Sequence, residues 1–271
     1  MTLIDEAHAI LDEGLEYNPS HVFLLVSGGN DSMTLAHVFK DRPEVSAIVH
    51  IDTGIKVDDV EPFVAETAES WGIPLLVYRA VENTKADGTP DPKIYEELVA
   101  KHGFPGPASH QYMYSNLKER QVSRLMRDHN VDKQDVVLIS GVRKGESARR
   151  AKTVQKLQRN GRQVWVAPLI NWTDEDMAVY RQAMSVPESP VAAKLGMSGE
   201  CLCGAFAKPG QFALLEKHYP KAAAHIRAIE EQGYCPWTWE QEPDLQWFEA
   251  KAGQGAFEFS PLCMDCIRRG K

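Results

Sequence analysis

The sequence predicts an α/β protein built on a parallel sheet, and three observations carry that reading. An apolar run, Val22 to Val26, passes straight into Ser27-Gly28-Gly29-Asn30-Asp31-Ser32, and a helical pattern begins at once. Strand, helix, strand, helix and strand then alternate within about 60 residues, which calls for parallel pairing with right-handed crossovers. Finally, 271 residues of which 43% are hydrophobic can bury a large core, as one domain or as a domain with an appendage.

Taken in order, Thr2 to Tyr17 carries Leu3, Ile4, Ala7, Ile10, Leu11 and Leu15 near helical spacing, which predicts an amphipathic helix. The first strand and its loop follow. A helix starts at Ser32 and stops near Arg42-Pro43, because a proline disfavours helix at the residue before it. Val45 to Ile51 is a second strand ending on Asp52-Thr53-Gly54; Val57 to Trp71 is a helix and Leu75 to Arg79 a third strand. Residues 83 to 111, rich in Pro, Gly and Asp, read as a long irregular connection of the kind that often forms lids or binding loops. Asn116 to His129 reads as a helix, Val136 to Ser140 as a strand, Val164 to Pro168 as a short strand and Asp174 to Met184 as a helix. Beyond Pro187 the pattern loosens, with one long helical stretch from Gln211 to Gln232. Two regions are expected: a nucleotide-binding domain over residues 1–190 and a small cysteine-containing region over residues 191–271.

Composition narrows the functional classes. A net charge of −8 does not indicate a general nucleic-acid surface, although the basic run Arg143, Lys144, Arg149, Arg150, Lys152, Lys156, Arg159 and Arg162 leaves a local nucleic-acid contact open beside a plain solvated face. The acidic, helix-like N-terminus is unlike a secretory leader, and no run reaches the ~18 apolar residues of a membrane span. The expected setting is the cytoplasm, with no membrane partner; a homo-oligomer is compatible with the sequence.

The chemistry gathers at strand ends. Adjacent glycines reach backbone angles closed to other residues and carry no Cβ, so the amides of Gly28 and Gly29 and of the next helical turn can wrap a phosphate at a positive helix end. Ser27, Asn30 and Ser32 complete the loop with polar side chains. Neither a Gly-Lys-Ser/Thr nor a Gly-x-Gly-x-x-Gly sequence is present, so this is not one of the common phosphate loops. Asp31 and Asp52 are candidates to hold Mg²⁺ against phosphate oxygens, and Asp52-Thr53-Gly54 and Gly141-Val142-Arg143 mark two further strand ends. The forked guanidinium groups of Arg143 and Arg149 suit a polyanion, with Glu146 between them to orient either one. Lys118, with His110, Tyr112 and Tyr114 just before it, follows the long connection and is a further cation for phosphate.

Ser-Gly-Gly-x-Asp-Ser resembles the pyrophosphate-binding (PP) loop of the adenine-nucleotide α-hydrolase group. With Asp52-Thr53-Gly54, the Gly-x-Arg-x-x-Glu-Ser-x-x-Arg pattern of residues 141–150 and Pro168-Leu169-Ile170-Asn171-Trp172-Thr173, it resembles the phosphoadenylyl-sulfate (PAPS) reductase family over about residues 20 to 190. The resemblance implies a five- or six-stranded parallel sheet with helices on both faces, binding an adenine nucleotide, ATP or PAPS, across the strand ends.

The chain departs from that family in its cysteines. Cys201, Cys203, Cys235, Cys263 and Cys266 all lie beyond residue 200, and no Glu-Cys-Gly-(Ile/Leu)-His segment is found. Cys201-x-Cys203 and Cys263-x-x-Cys266, with Cys235 as a possible substitute for any one of them, have the makings of a Zn²⁺ site or an iron–sulfur cluster. The leading expectation is an ATP pyrophosphatase that adenylates an acceptor for sulfur transfer, as in relatives that thiolate nucleic acids, served by a sulfur donor protein. The alternatives are a PAPS or adenylyl-sulfate reductase drawing on a thiol reductant, and a non-catalytic nucleotide-sensing scaffold.

Overall fold

Six strands form one sheet: β1 (His21–Leu25), β2 (Ala47–Asp52), β3 (Leu75–Arg79), β4 (Val136–Ile139), β5 (Leu157–Asn160) and β6 (Gln163–Val166). Their order is β3-β2-β1-β4-β6-β5, parallel throughout except that β5 pairs antiparallel with β6. This computed structural model describes residues 2–106, 110–129, 135–146, 150–208 and 210–232.

The central strands β1, β2 and β4 are apolar on both sides, as a sheet covered on both faces requires. Val22 and Leu24 of β1, Val137 and Ile139 of β4, and Val164 and Val166 of β6 share one core with Ile10 and Leu11 of α1 (Leu3–Leu15) and Leu35 and Phe39 of α2 (Asn30–Phe39). The alternate residues Phe23, Leu25, Val136, Leu138 and Trp165 pack on the other face, against Val122 and Leu125. The period-two alternation of a strand sorts the two sets. The five- or six-stranded parallel sheet expected is thus a six-stranded one with helices on both faces, and its edge strand β5 is antiparallel.

Other helices are α3 (Val60–Ser70), α4 (Ile94–His102), α5 (Gln111–Tyr114), α6 (Arg120–Asp128), α7 (Arg150–Thr153), α8 (Asp174–Met184), α9 (Pro190–Leu195), α10 (Gln211–His218) and α11 (Pro220–Glu230). Three differ from the sequence reading. The connection over residues 83–111 contains α4, whose Ile94, Tyr95 and Val99 are buried. The helix expected from Asn116 begins at Gln111 and passes through a π-helical turn, Ser115–Glu119, before continuing as α6. The stretch expected as one helix from Gln211 breaks at Tyr219-Pro220, since Pro220 has no amide hydrogen to continue the ladder.

A third core joins Ile55, Val57, Val60, Ile94, Tyr95, Phe104, Met113 and Leu117 to Val191, Leu195, Leu202, Phe212, Leu215, Ile226 and Ile229. The boundary expected at residue 190 falls at the first residue of α9, and this core draws residues from both sides of it.

Candidate nucleotide site

The sheet order reverses at β1, which pairs with β2 on one side and with β4 on the other. The chain leaves these strands in opposite directions, opening a crevice at their carboxyl ends, where ligands collect in such sheets. The loops after β1, β2, β4 and β6 meet there.

The loop after β1 is held open by its glycines. Gly28 has φ +78°, and a Cβ on it would lie 2.9 Å from Val60 Cγ1 and 3.2 Å from Val64 Cγ2. Gly29 stands at the cap position just before α2, and no side chain caps that helix end. The Ser32 hydroxyl donates to the Gly29 carbonyl at 2.9 Å and accepts the Ser27 amide at 3.2 Å, while the Ser27 and Ser32 hydroxyls stand 3.2 Å apart. Asn30 Oδ1 is buried without a hydrogen-bond partner among the described residues. A rigid, uncapped helix start with a positive dipole end is a ready anion site. Gly141, at the end of β4, presses on it: a Cβ there would sit 3.3 Å from the Asp31 carbonyl carbon and oxygen.

Arg143, only 3% exposed, is turned onto carboxylates. Its Nη2 donates to Asp31 Oδ2 at 2.7 Å and Asp174 Oδ1 at 2.8 Å, its Nε to Asp31 Oδ2 at 3.1 Å, and its Nη1 to the Trp172 carbonyl at 3.1 Å. In this arrangement the guanidinium fastens together the loops after β1, β4 and β6. Glu146 acts on the same loop through its backbone, its Oε1 accepting the Arg143 amide at 2.8 Å. The sequence reading had Arg143 facing a polyanion directly.

Asp52 is buried at the end of β2. Its Oδ1 accepts the Gly54 amide at 2.8 Å, and its Oδ2 pairs with Lys56 at 2.8 Å. Lys56 also pairs with Glu61 at 2.7 Å. Both Asp52 oxygens thus have partners from the loop that follows β2. Asp31 keeps a third of its side chain exposed at the loop. Thr53 serves as a fastener, its hydroxyl donating to the Glu200 carbonyl at 2.8 Å and the Ile55 carbonyl at 3.2 Å.

The segment 198–203 lies along this site. Ser198 Cβ would be 3.0 Å from a Cβ on Gly29; the Val57 amide donates to the Gly199 carbonyl at 2.9 Å, and the Leu202 amide to the Ile55 carbonyl at 2.7 Å. Lys118 is brought here by the π-helical turn and pairs with Glu200 Oε2 at 2.8 Å. Such turns recur at functional sites, because they re-aim side chains out of helical register.

Cys201 is half-buried and Cys203 buried. The Cys201 thiol is lowered to about 7: a hydrogen bond from Cys203 favours its thiolate against the opposing effect of burial, and the positive charge of Lys118 adds to it while Glu200 works against it. Two thiols are half of a four-thiolate metal set. Cys235, Cys263 and Cys266 lie outside the described residues, and among those described no three metal-ligating side chains converge.

Arg149 also lies outside the described residues. Elsewhere in the basic run, Lys156 pairs with Glu13 at 2.7 Å, and Arg159 and Arg162 with Asp135 at 2.9 and 3.6 Å. All three thus pair with carboxylates nearby, the two arginines sharing one. Glu200 escaped the sequence reading; the available signal was a lone carboxylate between Gly199 and Cys201 in a stretch of small and apolar residues.

Residues 21–195 match a family model described as the phosphoadenosine phosphosulfate reductase domain. A phosphoadenosine 5′-phosphosulfate reductase of Xanthomonas campestris pv. campestris is 27% identical over 179 residues, covering 65% of this chain and 68% of the relative. One from Xylella fastidiosa is 23% identical over 178 residues, covering 65% and 69%. Among solved structures, the FMN adenylyltransferase of Candida glabrata in complex with FAD and inorganic pyrophosphate superposes with a TM-score of 0.50 at 12% identity, over 72% of this chain and 62% of that one. That likeness is one of fold.

Proposed function

The chain belongs to the phosphoadenosine phosphosulfate reductase domain family, and on that premise we propose that it is an enzyme acting on an adenine nucleotide, an ATP pyrophosphatase that adenylates an acceptor for sulfur transfer. The observation that carries nucleotide binding is the uncapped start of α2, behind Gly28 and Gly29, at the point where the sheet order reverses. Sulfur transfer in place of sulfate reduction is supported by the cysteines. The family match ends at residue 195, before all five of them, and the segment that carries Cys201-x-Cys203 lies along the phosphate loop, with no Glu-Cys-Gly-(Ile/Leu)-His sequence in the chain.

In this reading the β- and γ-phosphates of ATP lie on the amides of residues 28–32. An acceptor oxygen attacks the α-phosphorus, the bond to the pyrophosphate oxygen breaks, and pyrophosphate leaves with the electron pair. Catalysis is then positioning and charge stabilisation. Arg143 holds Asp31 in place, with Glu146 fixing the Arg143 backbone, and Lys118 faces the developing charge from the π-helical turn. Asp31 is the magnesium candidate, and Mg²⁺ there would neutralise phosphate charge. A sulfur nucleophile then displaces AMP from the acceptor. Cys201 and Cys203 would supply two ligands of a zinc or iron–sulfur site completed by the later cysteines.

The second reading is reduction of PAPS or adenylyl sulfate. It is favoured by the names of the curated relatives and by the lowered thiol of Cys201, whose thiolate would attack the sulfate sulfur and release the nucleotide, with a thiol reductant restoring the enzyme. Calorimetric titration of ATP with Mg²⁺, and separately of PAPS, into anaerobically purified protein separates the two. Preference for ATP, with pyrophosphate release lost in Asp31→Ala and Arg143→Ala, is expected. Preference for PAPS, with sulfite formed, overturns the first reading.

A further inference from the structure

Glu200 is a buried carboxylate, 3% exposed, only one of whose oxygens has a partner. Oε2 pairs with Lys118, while Oε1 is buried with no hydrogen-bond partner among the described residues. An orphaned buried acceptor costs about 1–3 kcal/mol, more when charged, so a fold that keeps one at a site gains from a ligand that satisfies it.

Its position is closely set. The Thr53 hydroxyl holds the Glu200 carbonyl, the backbone on either side is pinned to Ile55 and Val57, and Ser198 sits against Gly29 of the phosphate loop. Only Gly199 separates Ser198 from Glu200, so the Glu200 backbone stands within about 7 Å of the residue touching that loop. Chemistry then limits what can face it. A carboxylate oxygen accepts hydrogen bonds and repels phosphate and sulfate oxygens, so the polyanionic half of a nucleotide belongs on the amides of residues 28–32 and not here. The nucleoside half carries donors: the ribose hydroxyls and the adenine 6-amino group.

We propose that Glu200 is a specificity-determining residue of the nucleotide site, its Oε1 accepting a hydrogen bond from the nucleoside half of the bound adenine nucleotide while Lys118 holds Oε2. The proposal rests on the adenine-nucleotide reading above. It assigns a direction to the ligand, phosphates at the start of α2 and nucleoside toward the 198–203 segment. A site built to accept a donor rejects analogues that lack it, because the buried oxygen is then left unpaired.

Calorimetry tests this on the full chain, with ATP, 2′-deoxy-ATP, 3′-deoxy-ATP and inosine triphosphate titrated into wild type, Glu200→Gln and Glu200→Ala. Wild type should bind at least one analogue about 10- to 100-fold more weakly than ATP, the range expected for one hydrogen bond to a charged group. Which analogue suffers identifies the donor. In both variants that discrimination should shrink to within about 3-fold, whatever happens to overall affinity, since a double-mutant comparison isolates the pair. If Glu200→Ala does not fold, Glu200→Gln, which keeps the shape, carries the test. Undiminished discrimination in a folded variant overturns the role of Glu200 and leaves the nucleotide reading standing. Failure of wild type to bind ATP or any analogue removes both.

Discussion

Arg143 and Gly28 show how single residues shape the site. Arginine next to a phosphate loop invites the reading of an anion receptor, yet the Arg143 guanidinium is spent on Asp31, Asp174 and the Trp172 carbonyl. The positive pole offered to a ligand is then chiefly the helix start, and the arginine keeps that start aligned with the loops after β4 and β6. Gly28 matters for its backbone: φ +78° is unfavourable for a residue with a Cβ, and Val60 leaves no room for one. Gly28→Ala is expected to lower stability by about 1–3 kcal/mol and to weaken ATP binding together with it. Chemical denaturation and calorimetry on the same preparation check both halves of that expectation.

At the scale of elements, local rules and tertiary rules divide the work. The starts of α1 and α8 obey local ones: Thr2 with Asp5, and Thr173 with Asp176, form reciprocal capping boxes. Thr173→Ala removes one of these and should cost about 1 kcal/mol, read as a lowered midpoint in denaturant with an unchanged slope. Because the bonds from Thr173 also lower the Asp176 carboxyl, the box contributes fully above the ordinary aspartate range and fades as pH falls through the lowered value. Strand β5 obeys a tertiary rule. Its sequence, Leu157-Gln158-Arg159-Asn160, carries little apolar signal, and it is a strand because it closes a hairpin on β6 at the sheet edge. Asn160-Gly161, with Gly161 at φ +58°, was the turn signal available for it.

The whole molecule is tied together by contacts that are remote in sequence. Helix α11 is fastened to α4 by His225, whose Nε2 lies 2.7 Å from Glu96 Oε1. The hydrogen bond to Glu96 raises the His225 value against the opposing effect of partial burial. A raised folded value means that the stabilisation is complete below the ordinary histidine range, near 6.5, and is lost as pH rises through the folded value. Glu96, which burial pushes up, is held below its ordinary value by the same bond, so its contribution is lost only as pH falls through that lowered value. Thermal unfolding should therefore show wild type losing its advantage over His225→Gln as pH rises from about 6 to about 8. Since the pair is partly exposed, screening keeps the effect below about 1 kcal/mol. An advantage that instead grew with pH would reverse the assignment.

Sequence alone was enough to read the parallel sheet, its crossovers and the phosphate loop, because each is written in contiguous residues: an apolar strand, two glycines, a helix start. The same holds for the strand ends at Asp52 and Gly141. What required the folded chain was the partnership of charges. Asp52 reads as a metal-ligand candidate, and the fold gives it Lys56 and the Gly54 amide as partners; Arg143 reads as an anion receptor, and Asp174, at the start of α8 and 31 residues away, takes part of it. Glu200 could not be found from its neighbours at all. Its meeting with Lys118 spans 82 residues and depends on a π-helical turn and on a C-terminal segment folding back over β2. Local sequence determines which backbone a stretch prefers; only the closed tertiary structure decides which buried charges meet, because that follows from packing across the whole chain.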